Sequence, residues 1–303
     1  MPMGPNQSCS VLIPYYNKEE SIGPVLEAVI EQQHELTPWT LVEILILIDG
    51  CLFPDIPLPD IVRCIRNSSN HGLVRARNQL IQESRGDFLI FLDADAIIQR
   101  GSFITAVQQW DGQSLLAGRE ESSLELSIFD RFRKHFWLQT QGDKTIYEAN
   151  YFFGLIFAAP KTIFDELGLF EEKMHNYGED IEYSLRLKKA GYNIQYEPKF
   201  RVFHHRSDSL NSLGIMIFNH SKYQILAHIY HQCSIISMLL QSLKWIYIAT
   251  GSALRSHGAP RLALLTFALC WWSFVVKLIY SIGGISRRNQ GVDCAQRKRN
   301  SGV

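Results

Sequence analysis

At 303 residues the chain is long enough for one large α/β domain, or for one domain with an appendage. Hydrophobic residues make up 46% and charged residues 20%, a globular composition that excludes a chain disordered throughout. The 30 Lys and Arg balance 30 Asp and Glu, so bulk charge does not draw the chain to nucleic acid, and no nucleic-acid partner is expected.

Met1 to Ser10 is polar, holds two prolines and lacks the apolar run of a signal peptide, which predicts a chain kept largely in a reducing cytoplasm. Val11-Leu12-Ile13 is a short apolar run closed by Pro14, as expected of a buried strand. Asn17 is placed as a helix N-cap with Glu20 in capping-box position, and Ile22, Val25, Leu26, Val29 and Ile30 follow at helical spacing. Leu41 to Ile48 reads as a second buried strand ending at Asp49-Gly50, and Leu52 to Asp60, with three prolines, as a loop. Ile61 to Ile65 is a third strand. A helix is expected over Gly72 to Ser84, with Leu73, Ala76, Leu80 and Ile81 inward, stopped by Gly86.

Phe88-Leu89-Ile90-Phe91-Leu92 is apolar without alternation, which suits a strand covered on both faces. Tyr151 to Ala159 reads as another apolar strand, with Pro160 opening a short helix. Glu179-Asp180 precede Ile181, Leu185 and Leu187 in a helix closed by Gly191, and Ile194 to His205 is extended around Pro198. The alternation of strand and helix predicts a single Rossmann-like, mostly parallel sheet flanked by helices, an α/β fold. Ligands bind beyond the carboxyl ends of such strands, where Asp49 and Asp93 both sit.

After about residue 215 the character changes, and the chain is divided into a catalytic domain, 1–215, and a C-terminal helical, membrane-associated region, 216–303. Leu262 to Ile282 approaches the roughly 20 apolar residues of a bilayer span, whereas Ile235 to Thr250 is shorter and carries Gln241 and Lys244. Trp245, Tyr247, Trp271 and Trp272 suit interface anchors or the core of a helical subdomain, and Lys277 counts against a simple span. A basic tail follows with Arg287, Arg288, Arg297, Lys298 and Arg299. Two spans, or two helices lying in the interface, would keep domain and tail both cytoplasmic. Six cysteines, Cys9, Cys51, Cys64, Cys233, Cys270 and Cys294, have no C-x-x-C pair, so neither a disulfide framework nor a zinc site is expected.

Asp93-Ala94-Asp95 carries the first chemical pointer. Two carboxylates two residues apart at a strand end can share a divalent cation, Mn²⁺ or Mg²⁺, that holds a diphosphate. The tripeptide alone equally fits a solvated turn. Glu179-Asp180 fits simple capping of a helix start as well as a proton acceptor.

In order, Ser10-Val11-Leu12-Ile13-Pro14-Tyr15-Tyr16-Asn17, Asp49-Gly50, Asn70 through Asn78, Gly86 through Asp95, Gly168-Leu169-Phe170, Gly178-Glu179-Asp180, Arg186 and Gly191-Tyr192 resemble the inverting family-two glycosyltransferases. The resemblance covers residues 8 to 206, about two thirds of the chain. It implies the A-type nucleotide-sugar glycosyltransferase fold and transfer of a sugar from a UDP- or GDP-sugar to a hydroxyl acceptor, a glycan or a lipid-linked species. It further implies that Pro14, Tyr16, Asn17 and Asp49 line the nucleotide pocket and that Arg77 meets base or diphosphate, although Arg77 alone would also suit a surface salt bridge. The chain has Ile48-Asp49 where many relatives carry two aspartates. Asp180 takes the role of base, with Glu179 as acceptor binder.

Val202-Phe203-His204 reproduces the pattern in which relatives place a metal-binding His, and His204 is preferred to His205 because alternation sends the two to opposite faces. Asp95 is the firmer metal ligand, while Asp93 is expected to contact the donor's sugar or ribose as well. The expected setting is the cytoplasmic face of a membrane, in glycan or lipid-linked polysaccharide synthesis. A non-catalytic nucleotide-sugar-binding scaffold is the alternative. A sugar nucleotidyltransferase fits less well, because Pro14-Tyr15-Tyr16-Asn17 replaces the Gly-rich basic loop that a triphosphate needs.

Overall fold

The computed structural model of the protein describes residues 7–121, 127–204, 206–231, 233–257 and 260–300, with backbone alone at 256–257 and 283–300. His205 lies outside the described residues, as do the side chains of the basic tail. The chain divides into two compact units, residues 1–125 with 137–207 and residues 126–136 with 208–303.

The first unit contains, in chain order, β1 (Ser8–Tyr15), α1 (Glu19–Gln32), β2 (Thr40–Asp49), β3 (Val62–Asn67), α2 (Leu73–Glu83), β4 (Phe88–Leu92), β5 (Ala96–Ile98), α3 (Ser102–Gln109) and β6 (Leu115–Glu121). α4 (Ile128–Phe136) follows and packs in the second unit. β7 (Ile156–Pro160), α5 (Lys161–Leu167), α6 (Glu179–Lys189) and β8 (Ile194–His204) complete the first.

The strands form one 8-stranded sheet in the order β3-β2-β1-β4-β7-β6-β8-β5. β3, β2, β1 and β4 are mutually parallel, so the strand-helix rhythm of the first 92 residues builds one parallel half. β7 then runs antiparallel to β4 and β6, and β8 lies parallel to β6 and antiparallel to β5. The expected α/β sheet with flanking helices is therefore present, with its parallel character confined mainly to that first half.

β1 and β4 are central, and burial on both faces explains their unbroken apolar runs. Pro14 does not close β1, which continues to Tyr15. β4 pairs only with Cys9 to Leu12, so a residue without an N–H is tolerated beyond that ladder. Asn17 is not the N-cap of α1 either. It adopts a left-handed conformation with φ 49°, which asparagine tolerates, and Lys18 occupies the cap position without a side-chain cap bond. The predicted strand from Tyr151 begins only at Ile156, because the residues before it form the floor of the site described below.

The second unit is helical: α4, α7 (Leu210–Tyr230), α8 (Ile235–His257) and α9 (Pro260–Asn300). α7 went unrecognised in the sequence; its serine capping box, Ser209 with Ser212, lacks the Glu or Gln usually sought three residues after the cap. Arg133 of α4 pairs with Asp208 at 2.9 Å, and Ser221 and Ser273 hydroxyls meet at 2.7 Å between α7 and α9. Among the described residues one helical segment, Pro260–Ile282, is long and apolar enough to cross a membrane.

Candidate active site

β1, β2 and β4 deliver Tyr15, Asp49 and Leu92 to their carboxyl ends on the same side of the sheet. After Leu92 the chain turns at once: Asp93 N–H donates to Leu155 O at 3.2 Å, and Ala96 N–H to Asp93 O at 3.0 Å. β5 begins directly after that turn, and Ala96 is the register partner of His204. This register is why the last residue of β8 meets the residue before β5, Asp95.

Asp93 and Asp95 face different cations. Arg77, on α2 and 1% exposed, donates through Nη2 to Asp93 Oδ1 at 2.9 Å and to Gly154 O at 2.7 Å, and through Nη1 to Glu179 Oε1. Its guanidinium also lies 5.8 Å from the Phe157 ring centroid. One arginine thus joins the strand-end acid, the segment before β7 and the start of α6. This position answers the sequence-level choice: Arg77 is no surface salt-bridge residue. Arg77 Nε and Glu179 Oε2 are buried with no hydrogen-bond partner among the described residues.

Asp95 Oδ2 lies 2.6 Å from Lys18 Nζ and 3.3 Å from His204 Nε2. His204 Nδ1 is 2.8 Å from Glu120 Oε1. Glu120 is the register partner of Val202 on β8, two residues before His204, so both side chains occupy one face of the sheet. Gly118 lets the strands reach this register: a Cβ there would lie 2.4 Å from Phe200 O.

These neighbours set the titration of each acid. Burial would raise Asp95, but the His204 hydrogen bond and charge, with Lys18, hold it well below the usual carboxylate range. Burial raises Asp93 to about 6, helped by Asp95 and opposed by Arg77. Burial alone would lower His204; its two carboxylate partners instead raise it to about 9.

α6 opens at Gly178, whose left-handed φ of 81° turns the chain so that Glu179 and Asp180 enter the first helical turn buried. Asp180 Oδ1 accepts from Ile181 N–H at 2.8 Å, and Oδ2 from Gly154 N–H at 3.3 Å. Burial, then the adjacent Glu179 charge, push Asp180 up to about 7. Asp180 in turn raises the Tyr151 phenol, after the larger effect of burial. Gly154 accordingly receives Arg77 on its carbonyl and serves Asp180 with its N–H.

The helix starts are locked to one another. Leu73 N–H donates to Asn176 Oδ1 at 2.8 Å and Val74 N–H to His175 O at 3.0 Å, so the turn before α6 caps α2. Asn78 exchanges two 2.9 Å bonds with the backbone of Phe170. Within the matched Arg77-Asn78 pair, Asn78 fixes α2 while Arg77 reaches the acids.

The four residues expected to line the nucleotide pocket differ in what they present. Tyr16 is 47% exposed and Asn17 is also exposed, beyond the end of β1. Pro14 is buried within the strand. Asp49 is 3% exposed and accepts from Asn67 Nδ2, His71 N–H and Gly72 N–H, each at 2.9 Å. Its carboxylate shapes the loop between β3 and α2. His71, by donating its N–H there, is a loop residue.

Lys18 and Glu120 are the parts that sequence reasoning missed, while Gly154, which in the sequence suits either a close acceptor approach or relief of strand crowding, is crowded by Arg77 and Glu179. Glu120 lies in the charged end of β6, between Arg119 and Glu121, so nothing local set it apart from its neighbours. Nothing local marked Lys18. Two carboxylates and an imidazole are a donor set that fits Mn²⁺ or Mg²⁺. Among the described residues, however, no three His, Cys, Asp or Glu side chains form a ready cage. His204 Nε2 is engaged by the same Asp95 oxygen that Lys18 contacts.

Residues 10–114 match the sequence profile of glycosyl transferase family 2, which agrees with the resemblance carried by the motifs and takes in Arg77, Asp93 and Asp95. No curated protein matches the sequence. Similar solved structures include GalNAc-T7 with UDP, GalNAc and Mn²⁺, at TM-score 0.54 and 18% identity over 73% of this chain. This chain spans 47% of the length of that one. The mannosyltransferase PcManGT from Pyrobaculum calidifontis, in complex with GDP-Man and Mn²⁺, has TM-score 0.57 and 14% identity over 90% of this chain and 86% of its own. S. aureus TarS 1–349 has TM-score 0.50 and 15% identity over 94% and 92%. The fold is that of the A-type glycosyltransferases.

Proposed function

We propose that the protein is a metal-dependent, inverting glycosyltransferase that moves a sugar from a nucleotide-diphosphate sugar to a hydroxyl acceptor at a membrane. The observation that carries this reading is the Arg77 bridge, which brings Asp93 of the strand-end pair and Glu179 beside Asp180 into one site. The family match over residues 10–114 supports glycosyl transfer, and the shared fold supports a nucleotide-sugar donor.

In this reading Asp95, with Asp93 and His204, would hold Mn²⁺ or Mg²⁺. Such a cation offsets charge on the departing diphosphate. Arg77, held by Asp93 and Glu179, keeps positive charge beside the donor. Asp180 accepts the proton of the acceptor hydroxyl as that oxygen attacks the anomeric carbon from the face opposite the leaving group, which inverts configuration. Its pKa of about 7 suits that task, because the carboxylate is present at neutral pH yet basic enough to take a proton. Glu179 Oε2, buried without a hydrogen-bond partner among the described residues, is suited to bind an acceptor hydroxyl. Tyr16 and Asn17 remain the exposed contacts for the nucleotide, with Asp49 acting through the loop it shapes.

The first unit carries this chemistry and the second the membrane contact. Along α8, Ile236, Leu240, Leu243, Tyr247 and Leu254 are exposed at helical spacing, and along α9, Leu264, Phe267, Trp271, Val275, Leu278 and Ile282 are as well. Both helices also bury apolar residues on another face, so each is apolar on two sides. The Arg and Lys residues that follow in the sequence favour the cytoplasmic leaflet.

The test is a screen of UDP- and GDP-sugars with purified protein, with and without Mn²⁺, read as nucleoside diphosphate release. Release from one donor that depends on Mn²⁺ is expected. Donor binding without turnover would leave a nucleotide-sugar-binding scaffold, and no binding at all would defeat the reading. Flotation with anionic vesicles checks the membrane contact: protein left at the bottom of the gradient would remove it.

A further inference from the structure

Lys18 sits in the N-cap position of α1 but forms no side-chain cap bond. The left-handed turn at Asn17 carries the chain away from the end of β1, and the Lys18 ammonium reaches Asp95 Oδ2 at 2.6 Å. That oxygen already lies 3.3 Å from His204 Nε2, so it collects two basic donors from opposite ends of the unit's sequence. The two partners of the ion pair differ in exposure. Asp95 is 13% exposed and set in the turn between β4 and β5, whereas the Lys18 side chain is 46% exposed. Ion pairs with one flexible, exposed partner are weak and exchange readily. A strongly hydrated ammonium on a four-carbon stem can leave without disturbing the fold around it.

We infer that Lys18 is the resident counter-ion of Asp95, displaced when a divalent cation binds, and that the released ammonium then holds the donor's diphosphate. This inference rests on the proposed reading of the site as a cation and diphosphate centre. Two requirements of charge support it. A divalent cation and an ammonium cannot both sit against one carboxylate oxygen without strong repulsion, so Lys18 must retreat. A diphosphate bound to that cation brings negative oxygens to the same mouth of the site, within reach of a side chain that could already touch Asp95. Lys18 is thus a positioning residue for the donor, with opposite effects on the cation and on the nucleotide.

The opposite signs make it testable in the full-length protein without turnover. Mn²⁺ binding in the absence of nucleotide is read from loss of the free-ion electron paramagnetic resonance signal. UDP and GDP binding at saturating Mn²⁺ is read by calorimetry. Lys18→Met should tighten Mn²⁺ by about threefold to tenfold, since a competing charge is gone. It should weaken the preferred nucleoside diphosphate by about tenfold, the loss of one charge-assisted bond, and Lys18→Arg should restore most of that affinity. Unchanged or weaker Mn²⁺ binding by Lys18→Met overturns the counter-ion role while leaving the cation reading intact. Tighter Mn²⁺ with unchanged nucleotide affinity overturns the diphosphate role. Mn²⁺ binding by neither protein defeats the cation reading and this inference together.

Discussion

Gly154→Ala adds one methyl group at the point where the site is most tightly tied. Gly154 has no left-handed φ, so alanine meets no backbone penalty there. Its Cβ, however, would lie 2.7 Å from Arg77 Nη1, 3.0 Å from Nη2 and 3.1 Å from Glu179 Oε1. Carbon to nitrogen contacts under 3 Å are not tolerated, and the guanidinium is closed in by Asp93, Glu179 and the Gly154 carbonyl. Overpacking of this kind costs about 1–3 kcal/mol. Stretching a buried charge-assisted bond adds about 1 kcal/mol, giving a total of about 2–4 kcal/mol. Urea denaturation followed by tryptophan fluorescence measures it, with Gly23→Ala in α1 as the control. A Cβ at Gly23 meets nothing within 4 Å, so that helix substitution should be neutral or stabilise by up to about 1 kcal/mol. Equal stability of the two variants, with donor affinity unchanged in Gly154→Ala, would refute the role given to this glycine.

Three further outcomes are expected. Activity should fall as pH drops through about 7, because Asp180 must be ionised to accept a proton, and Asp180→Asn should abolish transfer while keeping donor affinity; an acid limb near 4, or an active Asn variant, would remove Asp180 as base. In metal-free protein, protonated His204 stabilises the fold fully below its ordinary 6.5 and loses that contribution as pH rises through about 9. Between pH 7 and 9 wild type should therefore lose roughly 2 kcal/mol that His204→Gln does not lose, measured by urea denaturation in EDTA. Asp180 and Asp93 do not mask this: with pKa values raised to about 7 and about 6, their penalty on the fold builds up as pH rises toward those values and is nearly constant across the window. Finally, at pH 8 without metal, Asp95→Asn should destabilise by roughly 2 kcal/mol, because its ionised form is the one the site favours. Asp93→Asn should be near neutral, because its site disfavours the charge; equal losses in the two variants would contradict the division.

Most of the parallel half of the sheet was legible because the cores of β1, β2 and β4 are buried on both faces and read as apolar runs, whereas the edge strand β3 is only partly buried. The carboxyl ends of β2 and β4 in the inferred parallel sheet then pointed to Asp49 and Asp93. Residues 151–155 misled for the same reason. Phe152 and Leu155 are buried, yet the segment stays irregular because the backbone at Gly154 bonds to Arg77 and Asp180. Apolarity reports burial, and does not distinguish a strand from a buried loop held by polar side chains distant in sequence. Asn17 shows a similar limit at short range: asparagine suits both an N-cap and a left-handed turn, and the choice depends on the neighbouring end of the sheet.

The strand-end pair carries this point into the chemistry. From the sequence both acids are candidates for one cation, with Asp95 the firmer ligand and Asp93 expected to contact the donor's sugar or ribose as well. Their environments separate them. Asp93 is tied to Arg77 and through it to Glu179, while Asp95 is tied to His204 and Lys18. The first linkage passes toward the proposed base, and the second toward the proposed cation. In the proposed reading, this single turn between β4 and β5 links the donor side of the site to the acceptor side, although the groups involved lie more than 80 residues apart, as the separations from Arg77 to Glu179 and from Glu120 to His204 show. Such a link requires a rigid turn, and the backbone bonds of Asp93 to Leu155 and Ala96 make it one.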